Sequence, residues 1–162
     1  MHKKKITTKS EKETFKFGEG MAKKIKQAMI LGLAGDLGAG KTQFVKGLAK
    51  GLGVKDNITS PTFVLLREYK IKDQFTSTIE RSQQKIKQLV HIDCYRVTNA
   101  EDLLNLGLQE LIDEGKSIIV IEWADKVKKI LPKNTVWIEF TEGKKEKERK
   151  IEFKKIENVR VL

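Results

Sequence analysis

The sequence predicts an α/β fold of three layers, with a mixed, largely parallel central sheet and a C-terminal antiparallel hairpin. Three observations predict it. Short apolar runs at 28–34, 89–93 and 117–123 lack helical periodicity and read as core strands. Amphipathic segments alternate with these runs, as strands and helices do when helices cover a sheet. Two period-two segments then flank a glycine-bearing turn near the end of the chain.

Each element has its own signal. Ser10 is a candidate N-cap, and Phe15, Phe17, Met21, Ala22 and Ile25 follow at mostly helical spacing, which predicts an amphipathic helix over 10–27. The glycine-bounded run 28–34 is a strand buried on both faces. Phe44, Val45, Leu48, Ala49 and Leu52 mark a helix over 41–52, punctuated by Gly51 and Gly53. Residues 62–71 are rich in strand formers, whereas 72–87 is polar and weakly periodic, a hairpin excursion or mobile loop. After the strand 89–93 come short helices at 99–106 and about 108–113. The most apolar segment, 117–123, reads as a central parallel strand, and 124–131 as a short helix stopped by Pro132. Segments 136–140 and 150–153 form the hairpin around a charged turn at 143–149.

Length and charge bound the possibilities. The chain has 162 residues, enough for one sizeable core, so residues 1–162 are expected to form a single domain. Hydrophobic residues make up 39% and charged residues 34%, a composition that folds. No apolar run approaches the ~20 residues of a membrane span, and the basic N-terminus lacks an apolar signal core, so the cytoplasm is the expected compartment. One cysteine excludes an intramolecular disulfide, and two histidines leave too few soft ligands for a zinc site. Of the 33 basic residues 28 are lysine, and the net charge is +11. Such a surface allows attraction to polyanions without the arginine forks suited to bidentate reading.

The chemistry concentrates in a few places. Gly35-Asp36-Leu37-Gly38-Ala39-Gly40-Lys41-Thr42 satisfies G-x-x-x-x-G-K-[ST] and lies between a buried strand and an amphipathic helix, making the expected domain P-loop NTPase-like. Glycines free the backbone so that consecutive N–H groups face a phosphate, and the helix adds its positive end. Lys41 would reach the β and γ phosphates, and Thr42 would offer its hydroxyl to Mg2+. A carboxylate is also needed at the end of a neighbouring strand. Asp93 and Glu122 both end apolar strands; spacing does not rank them, and either could instead cap the next helix. Thr59-Ser60-Pro61-Thr62-Phe63 is a γ-phosphate-sensing segment or an ordinary turn into a strand. His91, alone on an apolar strand, reads as a core residue ahead of a proton carrier. Trp123 is core packing or a platform beside the site, and Arg96 a phosphate contact or a surface ion pair. The chain has no N-K-x-D downstream, hence no guanine signature, and only Arg81 in the stretch where a kinase lid would carry several arginines.

Together these residues resemble the TsaE (YjeE) family, bacterial P-loop ATPases of tRNA N6-threonylcarbamoyladenosine (t6A) biosynthesis. The resemblance rests on Gly35 to Thr42, Ser60-Pro61-Thr62-Phe63, His91-Ile92-Asp93-Cys94-Tyr95-Arg96 and Ile121-Glu122-Trp123, in that order. It implies an enzyme that hydrolyses ATP with Mg2+, slowly alone and faster with the partner proteins TsaD and TsaB, reaching tRNA indirectly through their complex. Thr42 and Glu122 are then the magnesium ligands, and Lys41, Asp93 and Glu122 the catalytic set, Asp93 in a Walker-B-like role. Gly35, Asp36, Gly38, Ala39, Gly40, Lys41 and Thr42 would surround the phosphates, with Ser60, Thr62 and Trp123 beside the nucleotide. An arginine of the family's hairpin is replaced here by Lys147, and the family's N-terminal contact falls near Lys12. The stretch 72–88 is longer than usual in the family. Two other classes stay open, a nucleotide-regulated RNA-binding module using the basic hairpin turn and a small-molecule kinase.

Overall fold

A computed structural model of the chain describes residues 4–60, 65–72 and 85–154. The strands are β1 (Lys4–Thr8), β2 (Met29–Ala34), β3 (Leu66–Lys70), β4 (Gln88–Asp93), β5 (Ser117–Glu122), β6 (Val136–Glu142) and β7 (Arg149–Lys154). Among the described residues they form one sheet in the order β1-β7-β6-β2-β5-β4-β3. Neighbours β6, β2, β5 and β4 are parallel, while β3, β7 and β1 add antiparallel pairings at the two sides. The predicted mixed sheet and closing hairpin are both present.

Two helices, α1 (Glu11–Ala22) and α2 (Lys41–Gly51), cover one face. Beneath them Leu31 and Leu33 of β2, Ile118 and Val120 of β5, and Ile138 and Phe140 of β6 join Phe44 and Leu48 in the larger core. The short helices Glu101–Asn105 and Leu108–Glu114 and the 3-10 helix Ala124–Ile130 lie over the other face, on Val90, Ile92, Ile119 and Ile121. Each residue of β5 is buried, as its uninterrupted apolar run requires of a strand covered on both sides.

The sequence expectations differ from the structure in four places. Helix α1 stops at Ala22 and not at 27, because Lys24 and Ile25 donate backbone hydrogen bonds three residues back, to Met21 and Ala22, and this tighter turn buries Ile25. Segment 124–130 is a 3-10 helix, whose repeat of three puts Ala124 and Val127 into the core together. Strand β1 was not expected, since it contains little alternation; pairing with the free edge of β7 creates it. Of the strand expected over 62–71, the described part is Leu66–Lys70, and most of 72–87 lies outside the described residues.

A P-loop cleft with paired carboxylates

The loop from β2 to α2 uses glycine where the backbone demands it. Gly38 and Gly40 have φ of 78° and 99°, values that L side chains rarely adopt. Gly35 has φ 132°, and a Cβ there would lie 2.1 Å from the carbonyl oxygen of Phe140, so glycine also lets the loop pass β6. Gly40 is the N-cap of α2 and supplies no side-chain cap, so the first-turn N–H groups, which have no intrahelical partner, are left for an anion.

Lys41, the first residue of α2, is only 4% exposed. Its ammonium donates to the carbonyls of Gly35 (2.5 Å) and Asp36 (2.8 Å) and sits 4.0 Å from the centroid of the Trp123 ring. Burial lowers its pKa from the usual lysine value, against the upward pull of Glu122, Asp93, Asp125 and Asp36. A phosphate would give this cation the partner that burial withholds.

Parallel pairing sets Asp93 directly beside Glu122 at the ends of β4 and β5. The Thr42 hydroxyl donates towards both Glu122 oxygens, at 2.9 Å to Oε2 and 3.2 Å to Oε1. Asp93 accepts from Ser60 Oγ at 2.6 Å through Oδ2 and from the Tyr95 backbone N–H at 2.9 Å through Oδ1. The two carboxylates thus differ in their contacts: Glu122 touches the P-loop hydroxyl, and Asp93 stands next to it on separate anchors. A hydroxyl and a carboxylate are hard oxygen donors, and this pair fits Mg2+, which takes one or two protein oxygens and completes its shell with phosphate and water. No group of three His, Cys, Asp or Glu able to hold a metal occurs among the described residues.

The cleft has a volume of about 420 Å3, and its lining includes the expected residues Gly38, Ala39, Gly40, Lys41, Thr42, Ser60, Asp93, Glu122, Trp123 and Lys147. Gly35 and Asp36 do not line it; their carbonyls accept from the Lys41 ammonium. Thr62 lies outside the described residues. Lys12 is not brought to the cleft: it is exposed on α1, and Glu11 and Thr14, three apart and so on one helical face, line the cavity instead. Arg96 is exposed and does not line it. Trp123 does, with φ 57°, a left-handed backbone uncommon for a tryptophan, and its ring packs at a tilt against Tyr95, centroids 5.1 Å apart.

Arg149 was missed as a site residue. It opens β7, lines the cleft and donates from Nε to the carbonyl of Gly38 at 3.1 Å, while Nη1 bonds the turn carbonyls of Glu146 (2.7 Å) and Glu148 (3.0 Å). Lys147 lines the cleft too, but the guanidinium tied to the loop is that of Arg149. The available signal was its place as the one arginine in the hairpin, at the start of the returning strand.

With this geometry in view, the comparison with known proteins is decisive. The family model for threonylcarbamoyl adenosine biosynthesis protein TsaE matches residues 8–151. The chain belongs to the TsaE family. Relatives described as tRNA threonylcarbamoyladenosine biosynthesis protein TsaE include one from Treponema pallidum, 37% identical over 134 residues, covering 83% of this chain and 88% of the relative. One from Aquifex aeolicus is 39% identical over 127 residues, covering 77% and 80%. The crystal structure of YdiB from Bacillus subtilis superposes with a TM-score of 0.70 at 28% identity, covering 97% of this chain and 88% of that one. Membership places the chain in t6A biosynthesis with a P-loop, nucleotide-binding fold. Among the described residues, no helix of this TsaE-family chain is long and apolar enough to cross a membrane.

Proposed function

We propose that this chain binds ATP with Mg2+ in the P-loop cleft and hydrolyses it as the ATPase component of t6A formation. In this reading residues 1–162 form one domain that works in the cytoplasm with the TsaD and TsaB proteins and reaches tRNA through their complex. The observation that carries it is the convergence of Thr42 and Glu122, at 2.9 Å, beside the buried ammonium of Lys41.

Each side chain then has a task. Backbone N–H groups of Gly38 to Thr42 take the phosphates, and Lys41 exchanges its two carbonyl partners for phosphate oxygens. Thr42 and Glu122 hold Mg2+, which when bound neutralises charge on the phosphate oxygens. Asp93, fixed by Ser60 and the Tyr95 N–H, is the acceptor that orients the attacking water. The water oxygen bonds to the γ phosphorus while the bond to the bridging oxygen breaks, giving ADP and, after loss of the water proton, inorganic phosphate. Trp123, Lys147 and Arg149 wall the nucleotide, and Thr62 belongs to the segment entered through Ser60. Leu37 and Tyr95 remain exposed at the rim, which suits a cleft completed by another protein. The test is ATP turnover with and without TsaB and TsaD: slow hydrolysis alone and a rise with partners is expected, and fast turnover indifferent to partners would overturn the reading.

A further inference from the structure

His91 is wholly buried in β4, yet it does not behave as a packing residue. It shares a face of the strand with Asp93 and pairs in register with Val120, two residues before Glu122. Its ring reaches along the sheet, and Nε2 lies 2.9 Å from Glu122 Oε1. A carboxylate offers only lone pairs, so Nε2 carries the hydrogen. The other ring nitrogen, Nδ1, is buried with no hydrogen-bond partner among the described residues. An orphaned polar atom is a standing penalty that leucine at this position would remove.

We infer that His91 is a positioning residue for the metal site, fixing the Glu122 carboxylate from the sheet side so that it meets the cation shared with Thr42. The inference rests on the nucleotide-site reading above. Thr42 has one hydrogen to divide between two Glu122 oxygens, at 2.9 and 3.2 Å, and a carboxylate with that anchor alone can swing about its last bond. The His91 N–H is a second anchor, from another strand, and it stays in place when the threonine oxygen turns to a cation. Partners of this kind around metal ligands commonly set affinity by ten- to a hundredfold.

Nucleotide affinity is to be measured by calorimetry with ADP, first without divalent metal and then across a Mg2+ titration, on wild type, His91→Leu, His91→Asn and His91→Gln. Wild type is expected to bind ADP and to tighten with Mg2+; if it did neither, the nucleotide-site reading itself would fall. His91→Leu is expected to keep its metal-free ADP affinity within about twofold and to need about ten- to a hundredfold more Mg2+ for half-effect. Glutamine, whose amide can place an N–H near the Nε2 position, should recover most of the loss, and the shorter asparagine should not. Should the leucine variant fail to fold, the contrast between glutamine and asparagine decides alone. In a Glu122→Ala background the His91 substitutions should add nothing to the Mg2+ requirement. An unchanged requirement in His91→Asn, or an equal loss with and without metal, would overturn the inference while leaving the nucleotide site intact.

Discussion

Lys41 stands where a charged group loses most hydration, and three things compensate it: two carbonyls, an aromatic face and the nearby carboxylates. Each is weaker than a triphosphate, so the lysine is poised for exchange. Replacing it by alanine should lower ATP turnover about a hundredfold or more, with thermal unfolding showing a folded protein; unchanged turnover would remove it from the mechanism. Arg149 acts through the loop. Arg149→Ala removes the Gly38 contact, worth about 1 kcal/mol, and should weaken nucleotide binding roughly fivefold by calorimetry. Cys94, beside Asp93, has a different fate. Burial, with Asp93 adding to it, pushes its thiol up to about 12 from 9.0. Between those values the folded chain keeps a proton that the unfolded chain has released. Its stabilising contribution is therefore whole below about pH 9 and is lost towards pH 12, at a limiting slope near 1.4 kcal/mol per unit. Iodoacetamide at pH 8 should label Cys94 in denaturant and spare it in the native protein; rapid native labelling would contradict the burial.

Helices α1 and α2 approach closely because glycines face each other's backbone. A Cβ on Gly47 would lie 1.9 Å from the carbonyl oxygen of Phe15, and one on Gly18 would lie 2.3 Å from that of Phe44. Gly47→Ala should thus destabilise by about 2 kcal/mol despite alanine's better helix propensity. Gly20, also in α1, meets nothing within 4 Å, so Gly20→Ala should stabilise by roughly 0.5–1 kcal/mol. Urea unfolding of both variants checks the contrast, and two shifts of the same sign would contradict this packing. Legibility at this scale follows locality. The unit β2, glycine loop and α2 was readable because each signal lies within its own segment, as was the buried run of β5. Strand β1 was not, because its reason for existing is an edge supplied by residues 149–153.

Across the whole molecule, the sheet order sets the ends of β4 and β5 next to the P-loop, which brings two separate strand-end carboxylates together in one cleft. The net charge of +11 has no comparable structural focus, and of the lysines Lys41 alone is buried among the described residues. If tRNA reaches this protein only through partners, tRNA titrated against the isolated chain should bind weakly, with affinity vanishing as salt rises. Tight binding at 0.15 M salt, with a steep salt dependence, would favour the RNA-binding alternative. The sequence by itself determined the loop, the types of ligand at its disposal and the alternation that makes an α/β sheet, since these depend on residues close in the chain. Tertiary structure alone decided that Glu122 takes the Thr42 hydroxyl, that Asp93 is held by Ser60, that Arg149 closes on the loop and that His91 serves a carboxylate. Those contacts depend on strand order and register, which the burial of whole faces selects and no local pattern encodes.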